Sequence, residues 1–319
     1  MKRAWPLIKV VVGVGILVAL AVRLGAQAFV DGLAAIGPAS VLAALGLGLL
    51  TTVASAARWC LVARGVGLRL PLAGAVSDCY RAVFLNSVLP AGVLGDVHRA
   101  VGYGRQIGDV GRGVRVVAIE RVTGQLAIIV VGLGVLVASR PDLLGVLLPG
   151  RLGAVGWLAA VVVVAAAAWT ARVPRVRAAL RSVVADARSG ALSRTTWPGL
   201  LALSVVALAG YLALFVVAAR SAGAEASVRE LLPLLVLGLL AMALPLNIGG
   251  WGPREGVMAV TFGAVGLGAA QGLTTAVVYG VLSLIACLPG AVVLLLPTLA
   301  ARSRRLPATA PAMLERSPA

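Results

Sequence analysis

The polar chemistry of this chain is concentrated in one stretch, residues 85–99, which reads LNSVLPAGVLGDVHR. The residues around it are almost wholly aliphatic, yet this stretch holds a proline, two glycines, an acid, the only histidine and an arginine. Proline removes a backbone donor and glycine destabilises a helix interior, so the pattern predicts a broken helix. Broken backbone at membrane depth must be buried in protein or line a wet cavity. Residues 72–90 are therefore predicted to form a re-entrant segment.

A second stretch of the same kind lies at residues 244–255 and reads LPLNIGGWGPRE. Aligned on their prolines, the two stretches match at three offsets: Pro90 with Pro245, Gly95 with Gly250, and Arg99 with Arg254. Paired Gly/Pro-interrupted segments in two halves of a transporter indicate a binding site near the midplane. The spacing favours an internal two-half pseudo-repeat, with a chance match as the alternative. Trp251 is assigned to the aromatic belt at the membrane interface.

The rest of the chain is apolar enough to cross a membrane several times. Of its 319 residues, 61% are hydrophobic, and the mean hydropathy is +1.03, unlike the usual soluble composition. We predict an all-α fold, a polytopic transmembrane helical bundle with about eight spans plus one re-entrant segment. The membrane domain is predicted over residues 1–300, and a basic, proline-rich, disordered cytoplasmic tail over residues 301–319.

Eight crossings are predicted at residues 7–22, 38–57, 114–139, 152–170, 198–219, 231–248, 256–270 and 274–297. The first run also resembles a signal peptide, but we expect an uncleaved helix. With both termini cytoplasmic, the basic residues left on the far side are few: Arg23, Arg140, Arg151, Arg220 and Arg229. The short seventh run is assigned as a crossing because a lone re-entrant segment there would export the arginine-rich tail. A multi-pass protein of the bacterial cytoplasmic membrane is expected.

The net charge of +17 does not indicate a nucleic-acid-binding protein. The basic residues cluster between hydrophobic runs, as in cytoplasmic loops that face anionic lipid. The longest such polar loop is predicted over residues 171–198. The three cysteines show no metal-ligand spacing and no disulfide framework, so we expect neither a metal nor a cofactor.

Two charged neighbours, Glu120 and Arg121, lie within the predicted third span. A charge at the centre of a lone transmembrane helix costs about 2.5–3.5 kcal/mol, which favours a functional role. Sequence neighbours lie ~100° apart on a helix, so these two are poorly placed to pair with each other. With Gly124 and Gln125 they predict one polar face. The alternative is an interfacial position, with Arg121 extending to the headgroups.

Arg99 and Arg254 are candidates for holding a lipid headgroup. Guanidinium groups bind phosphate bidentately and keep their charge in a dry site, although both could instead be interfacial anchors. Asp96 and His98 could serve as acid and base in an enzyme, but no nucleophile, metal cluster or nucleotide loop is recognisable. The predicted headgroup path comprises Asn86, Pro90, Gly92, Gly95, Asp96, Arg99, Glu120, Arg121, Gly124, Pro245, Asn247, Gly249, Gly250, Arg254 and Glu255.

Taken in order, these motifs resemble the lysylphosphatidylglycerol synthase transmembrane region family, also called flippase-like domain proteins. The resemblance covers about residues 9–299. It implies a polytopic domain with re-entrant helices that moves aminoacylated phospholipid between leaflets in its best-understood members. Those members carry a soluble C-terminal synthase domain, which is missing from this sequence, so we expect no aminoacyl-transferase activity. The chain also departs from the family at Val93-Leu94, which interrupts a contiguous Gly-Gly-Asp.

The leading hypothesis is a stand-alone flippase-like protein that binds an anionic or modified phospholipid or glycolipid and translocates it between leaflets. Two alternatives stay open. One is a membrane-embedded enzyme acting on a lipid or polyprenyl phosphate, with Asp96 and Glu120 as acid or metal-binding groups. The other is a non-transporting partner subunit of an envelope lipid or glycolipid assembly. A separately encoded lipid-modifying enzyme or glycosyltransferase is the expected partner, and no catalytic residue is assigned.

Overall fold

The computed structural model describes residues 30, 32, 34, 36–89, 92–139, 174–242 and 251–303. Every regular element within these ranges is an α-helix. The helices are α1 (Pro38–Gly65), α2 (Leu72–Val88), α3 (Leu94–Gln106), α4 (Val110–Ser139), α5 (Pro174–Gly190), α6 (Trp197–Ser221), α7 (Val228–Met242), α8 (Pro253–Ala264) and α9 (Ala269–Ser303). The all-α prediction is confirmed for this part of the chain.

Four of the described helices are long and apolar enough to cross a membrane: α1, α4, α6 and the 269–295 part of α9. They correspond to the second, third, fifth and eighth predicted spans. The predicted spans at 7–22 and 152–170 lie outside the described residues. The predicted span at 231–248 is described only as far as Met242 in α7. Helix α8, at 12 residues, is shorter than the ~20 residues that a crossing needs. The eight-span count therefore stays a prediction.

The order of long and short helices is the same in two parts of the chain. In α1 to α4 and again in α6 to α9, two short helices lie between two long ones. The packing follows the same order, since α2 contacts α9 while α7 contacts α4. Each part also has its own apolar core, one around Trp59 and one around Phe215. This arrangement is the one expected of the predicted pseudo-repeat.

The two repeating parts run in opposite directions. Ser40 near the start of α1 shares a 2.8 Å hydrogen bond with Ser221 at the end of α6. At the other end, Arg58 of α1 donates to Ser204 near the start of α6 over 3.4 Å. Helices α1 and α6 are therefore antiparallel, and the short pairs that follow them, α2–α3 and α7–α8, begin at opposite ends of the bundle.

The break in the first polar stretch lies where the sequence predicts it. Helix α2 ends at Val88 and α3 begins at Leu94, with Gly92 at a φ of 59°. Gly95 lies against the backbone of α2, where an added Cβ would overlap the carbonyl oxygen of Ala82. The glycine thus lets the two short helices cross in close contact.

Two boundaries differ from the predictions. The predicted loop at 171–198 contains α5, because Pro174 suits the first position of a helix and no glycine or proline follows until Gly190. Helix α9 continues to Ser303, past the predicted domain boundary at residue 300. The rest of the predicted tail lies outside the described residues.

Candidate functional site

Glu120 is the centre of a buried ionic network that we call the first cluster, formed by Arg58, Asp96, Arg99, Glu120 and Arg121. The Glu120 side chain is 1% exposed and accepts a hydrogen bond on each carboxylate oxygen. Arg58 Nη2 lies 2.5 Å from Oε1, and Arg99 Nη2 lies 2.6 Å from Oε2. One carboxylate therefore joins three helices, α1, α3 and α4.

Asp96 extends the first cluster toward the surface of the bundle. Its carboxylate accepts from Arg99 Nε at 3.0 Å and forms an ion pair with Arg121 Nε at 3.0 Å. Asn86 donates to the same carboxylate over 2.9 Å and accepts from the Gly95 backbone N–H over 2.8 Å. Asn86 thus connects α2 to α3 across the break, which explains its place in the motif.

The buried guanidinium groups lie against small, aromatic and soft polar neighbours. The Arg58 guanidinium covers Gly124, where an added Cβ would lie 2.6 Å from Nη2. The Arg99 guanidinium stacks on the Trp59 ring at 4.9 Å from its centroid, and its Nη1 lies 3.3 Å from Cys79 Sγ. Gly124 therefore leaves the space on α4 that the Arg58 guanidinium of α1 occupies.

The first cluster holds more positive than negative charge. Three guanidinium groups face two carboxylates, which leaves one positive charge if all five groups are ionised. Arg58 and Arg99 are buried, whereas the Arg121 side chain is 56% exposed. Its neighbours Val122 and Leu126 on α4 are also exposed. An incoming anion would therefore meet Arg121 first.

The second cluster is formed by Trp251, Arg254, Glu255 and Tyr279. Arg254 and Glu255 are at most 1% exposed and form an ion pair between neighbouring residues. The Glu255 carboxylate also accepts from the Gly252 backbone N–H over 2.7 Å, which caps α8. The Arg254 guanidinium lies 5.1 Å from the Trp251 ring and 5.2 Å from the Tyr279 ring. Trp251, which is partly exposed, thus packs on a buried cation, and its predicted place in the interface belt stays a prediction.

Helix α9 contacts both the second cluster and the part of α2 that lies beside the first cluster. An added Cβ on Gly280 would lie 2.5 Å from Arg254 Nη2, and one on Gly290 would overlap the Tyr80 carbonyl of α2. Tyr80 follows Cys79, which contacts Arg99. Ten residues of helix separate the two glycines, about 15 Å along the axis. Helix α9 therefore contacts Arg254 and the part of α2 beside Arg99 at positions about 15 Å apart along its axis. That Arg99 and Arg254 hold one headgroup stays a prediction.

The predicted site residues thus fall into three groups. The first cluster brings together Asn86, Gly95, Asp96, Arg99, Glu120, Arg121 and Gly124, with Gly92 in the adjoining turn. The second contains Arg254 and Glu255. Outside the described residues lie Pro90, Pro245, Asn247, Gly249 and Gly250. Along the predicted polar face, the Glu120 side chain is 1% exposed and the Arg121 side chain 56%, and His98 is exposed.

Sequence reasoning missed Arg58. It directly follows the predicted second span, at 38–57, where it would begin a basic loop with Arg64 and Arg69. Arg64 and Arg69 are indeed exposed, but α1 continues to Gly65 and carries Arg58 into the core at 7% exposure. Gly124, one turn after Glu120, was the available signal, because a glycine beside a buried acid leaves room for a large partner.

Comparison with known families is informative for nearly the whole chain. A family model described as the lysylphosphatidylglycerol synthase TM region matches residues 7–290. No curated protein matches the chain. The matched range includes both clusters and the helices α1, α4 and α6, and it ends within the 269–295 part of α9.

Proposed function

The chain belongs to the lysylphosphatidylglycerol synthase TM region family, and on that basis we propose that it binds an anionic membrane lipid at the first cluster and carries it between leaflets. Its family and its apolar helices make it an integral membrane protein related to lipid handling. We place it in the bacterial cytoplasmic membrane with both termini in the cytoplasm. A separately encoded lipid-modifying enzyme or glycosyltransferase would supply the lipid.

The observation that carries this proposal is the unbalanced positive charge of the first cluster. Each arginine has a carboxylate partner, but three guanidinium groups share two carboxylates. A charge within the hydrocarbon costs about 2.5–3.5 kcal/mol, so the remaining positive charge favours an anionic ligand. A lipid phosphate brings the missing negative charge and several acceptor oxygens. Arg121 gives its Nε to Asp96 and still has more than half of its side chain accessible. A phosphate approaching along α4 would exchange water or headgroup contacts for this guanidinium.

The length of α8 supports a second re-entrant hairpin. Its 12 residues extend only about 18 Å, against ~30 Å of hydrocarbon. Gln271 near the start of α9 donates to the carbonyl of Ala222, which precedes α7, over 2.6 Å. The start of α7 and the end of α8 therefore lie at the same end of the bundle. We propose that α7–α8 replaces two of the eight predicted crossings. A hairpin and a pair of crossings return the chain to the same side, so both termini keep their predicted location.

Two hairpins that begin at opposite ends provide a path for a headgroup. The first cluster joins α1, α3 and α4 beside the α2–α3 hairpin, and the second lies on α8 and α9. Helix α9 contacts α2 and Arg254 at glycines about 15 Å apart along its axis. Broken helices of this kind surround the midplane sites of transporters, and rocking of one repeat against the other exposes such a site to each side in turn. In this mechanism the headgroup binds at the first cluster, and the second cluster lines the far part of the path.

Leaflet exchange in vesicles that contain only this protein tests the proposal. Fluorescent phosphatidylglycerol would be followed by chemical quenching of the outer leaflet, with phosphatidylcholine as the comparison without net charge. We expect protein-dependent exchange of phosphatidylglycerol that is lost in Arg121→Gln. The matched control is Arg229→Gln, because Arg229 is exposed at the start of α7, outside both clusters. Helix content and elution volume would establish that each variant is folded.

Two results would contradict the proposal. Full exchange in both Arg121→Gln and Arg58→Gln would remove the first cluster from the path. Absence of exchange in the parent protein, with no phospholipid retained through purification, would instead favour the partner-subunit hypothesis.

A further inference from the structure

Helix α5 carries a stripe of exposed arginines that the proposed transport path does not use. Arg177, Arg181 and Arg188 are exposed, and Val184 between them is 48% exposed. At 100° per residue these four positions fall within about 60° of one another around the helix. The stripe is therefore one continuous basic face, with an apolar residue at its centre.

The opposite face of α5 is fixed to the membrane helices. Asp186 lies about 170° from the centre of the stripe, and its carboxylate forms a 2.6 Å ion pair with Arg115 Nε of α4. The last residue of the helix, Gly190, approaches Gly65 so closely that a Cβ on Gly65 would lie 2.6 Å from the Gly190 Cα. These contacts hold α5 at the end of the bundle where α1 ends and α4 begins, with its basic stripe turned away.

The residues after α5 locate this end of the bundle at the membrane interface. Leu192 is 71% exposed, and Trp197, the first residue of the membrane helix α6, is 49% exposed. Tryptophan is enriched at the level of lipid headgroups. A basic helix that leads into this position lies at the height of the phosphates, and arginines there attract anionic lipid.

We propose that the Arg177–Arg181–Arg188 stripe is a docking surface for the anionic headgroups of the leaflet next to α5. The arginines bind lipid phosphates, and Val184 inserts among the acyl-chain carbonyls between them. Asp186 holds the bound helix on α4 through Arg115, which lies a little over one helical turn before Glu120. The inference does not require lipid transport, because the lipids at the stripe stay in their own leaflet.

A probe at Val184 tests the docking surface directly. The full chain with Val184→Cys and Cys60→Ala would carry a polarity-sensitive fluorophore, since Cys79 and Cys287 are buried. It would be placed in nanodiscs of phosphatidylcholine alone or of an equimolar mixture with phosphatidylglycerol. Three arginines near an anionic surface amount to a preference for anionic lipid on the order of 100-fold. We expect acrylamide quenching to fall when phosphatidylglycerol is present, and high salt to reverse the effect.

The arginine variants decide between a specific stripe and a general basic field. The change Arg177→Gln, Arg181→Gln, Arg188→Gln should abolish the difference between the two kinds of disc. The control Arg69→Gln, Arg105→Gln, Arg229→Gln removes the same charge from exposed arginines outside α5 and should leave it intact. Equal loss in both variants would overturn the proposal. Equal quenching in both lipids before any substitution would also overturn it, and would assign the stripe to solvent or to a protein partner.

Discussion

The two buried arginine clusters hold their charges in opposite ways. In the first, Glu120 pairs with Arg58, 62 positions away in the sequence, and with Arg99 on a third helix. In the second, Arg254 pairs with its neighbour Glu255, and both lie in the first turn of α8. A pair between helices breaks when those helices separate, whereas a pair within one turn moves as a unit. In the proposed transport cycle, the ion pairs of the first cluster would therefore change when the helices move, and the ion pair of the second would not.

The largest effect that tests this comparison is expected from Glu120→Gln. It leaves Arg58 and Arg99 buried without a carboxylate, and removing one partner of a buried pair costs about 3–5 kcal/mol. We expect the free energy of unfolding in micelles to fall by that amount, with a smaller loss in Glu255→Gln, which strands one arginine. Glu225→Gln, at an exposed acid, serves as the control. A greater loss in Glu255→Gln than in Glu120→Gln would contradict the comparison.

Glycine substitutions should show that the two hairpins depend on glycine for different reasons. Gly95→Ala places a methyl group on the backbone of α2, and such overpacking costs about 1–3 kcal/mol. Gly252→Ala strains a backbone at a φ of 106°, at a cost of about 1–3 kcal/mol. Both losses can be measured by thermal unfolding.

Leaflet exchange then separates the two substitutions. Gly95→Ala should also abolish exchange, because it displaces Asp96 from Asn86. The control is Gly102→Ala on the same helix, where nothing lies within 4 Å of the added methyl group and a small gain in stability is expected. Full exchange in a folded Gly95→Ala variant would show that the first hairpin needs no close crossing.

Arg121→Gln should separate stability from function within the first cluster. Arg121 is 56% exposed and its ion pair with Asp96 is the outermost of the network, so the free energy of unfolding should change by no more than about 1 kcal/mol. Exchange of phosphatidylglycerol should nevertheless be lost. A loss of several kcal/mol would instead make Arg121 a structural residue, like Arg254.

The smallest effect is expected at the ion pair between Arg115 and Asp186. Both side chains are partly exposed, and such pairs contribute about 0.2–1 kcal/mol. A double-mutant cycle with Arg115→Gln and Asp186→Asn should give a coupling energy in that range. A coupling energy near zero would show that the ion pair does not hold α5 on α4, and would leave the close approach of Gly190 to Gly65 as the contact that does.

The sequence predicted much of the fold and the motif residues of both clusters. Long apolar runs located α1, α4, α6 and α9, because length and hydrophobicity alone decide whether a helix can cross a membrane. The break between Val88 and Leu94 follows from local proline and glycine chemistry. The arginine spacing of α5 was also present in the sequence, but the loop prediction rested on polarity and overlooked its period.

The pairing of charges could not be predicted in the same way. Arg58 and Glu120 meet because α1, α3 and α4 pack together, and nothing local to either residue specifies the other. The separate positions of Arg99 and Arg254 likewise depend on where each hairpin packs along α9. Matching offsets in the sequence show that two segments are alike, but not how far apart they lie.

Both hairpins pack against α9 at glycines, where the neighbouring atoms leave no room for a Cβ. Gly280 receives Arg254 and Trp251, Gly290 receives the backbone of α2, and Gly272 receives the backbone of α8. If a lipid at the first cluster shifts α2 against α9, the contact between α9 and α8 changes as well. Linkage is reciprocal. A ligand at one hairpin that changes the affinity of the other hairpin for its ligand would have its own affinity changed by the same factor. Because α9 contacts both hairpins, a movement of one would be transmitted to the other through the same helix.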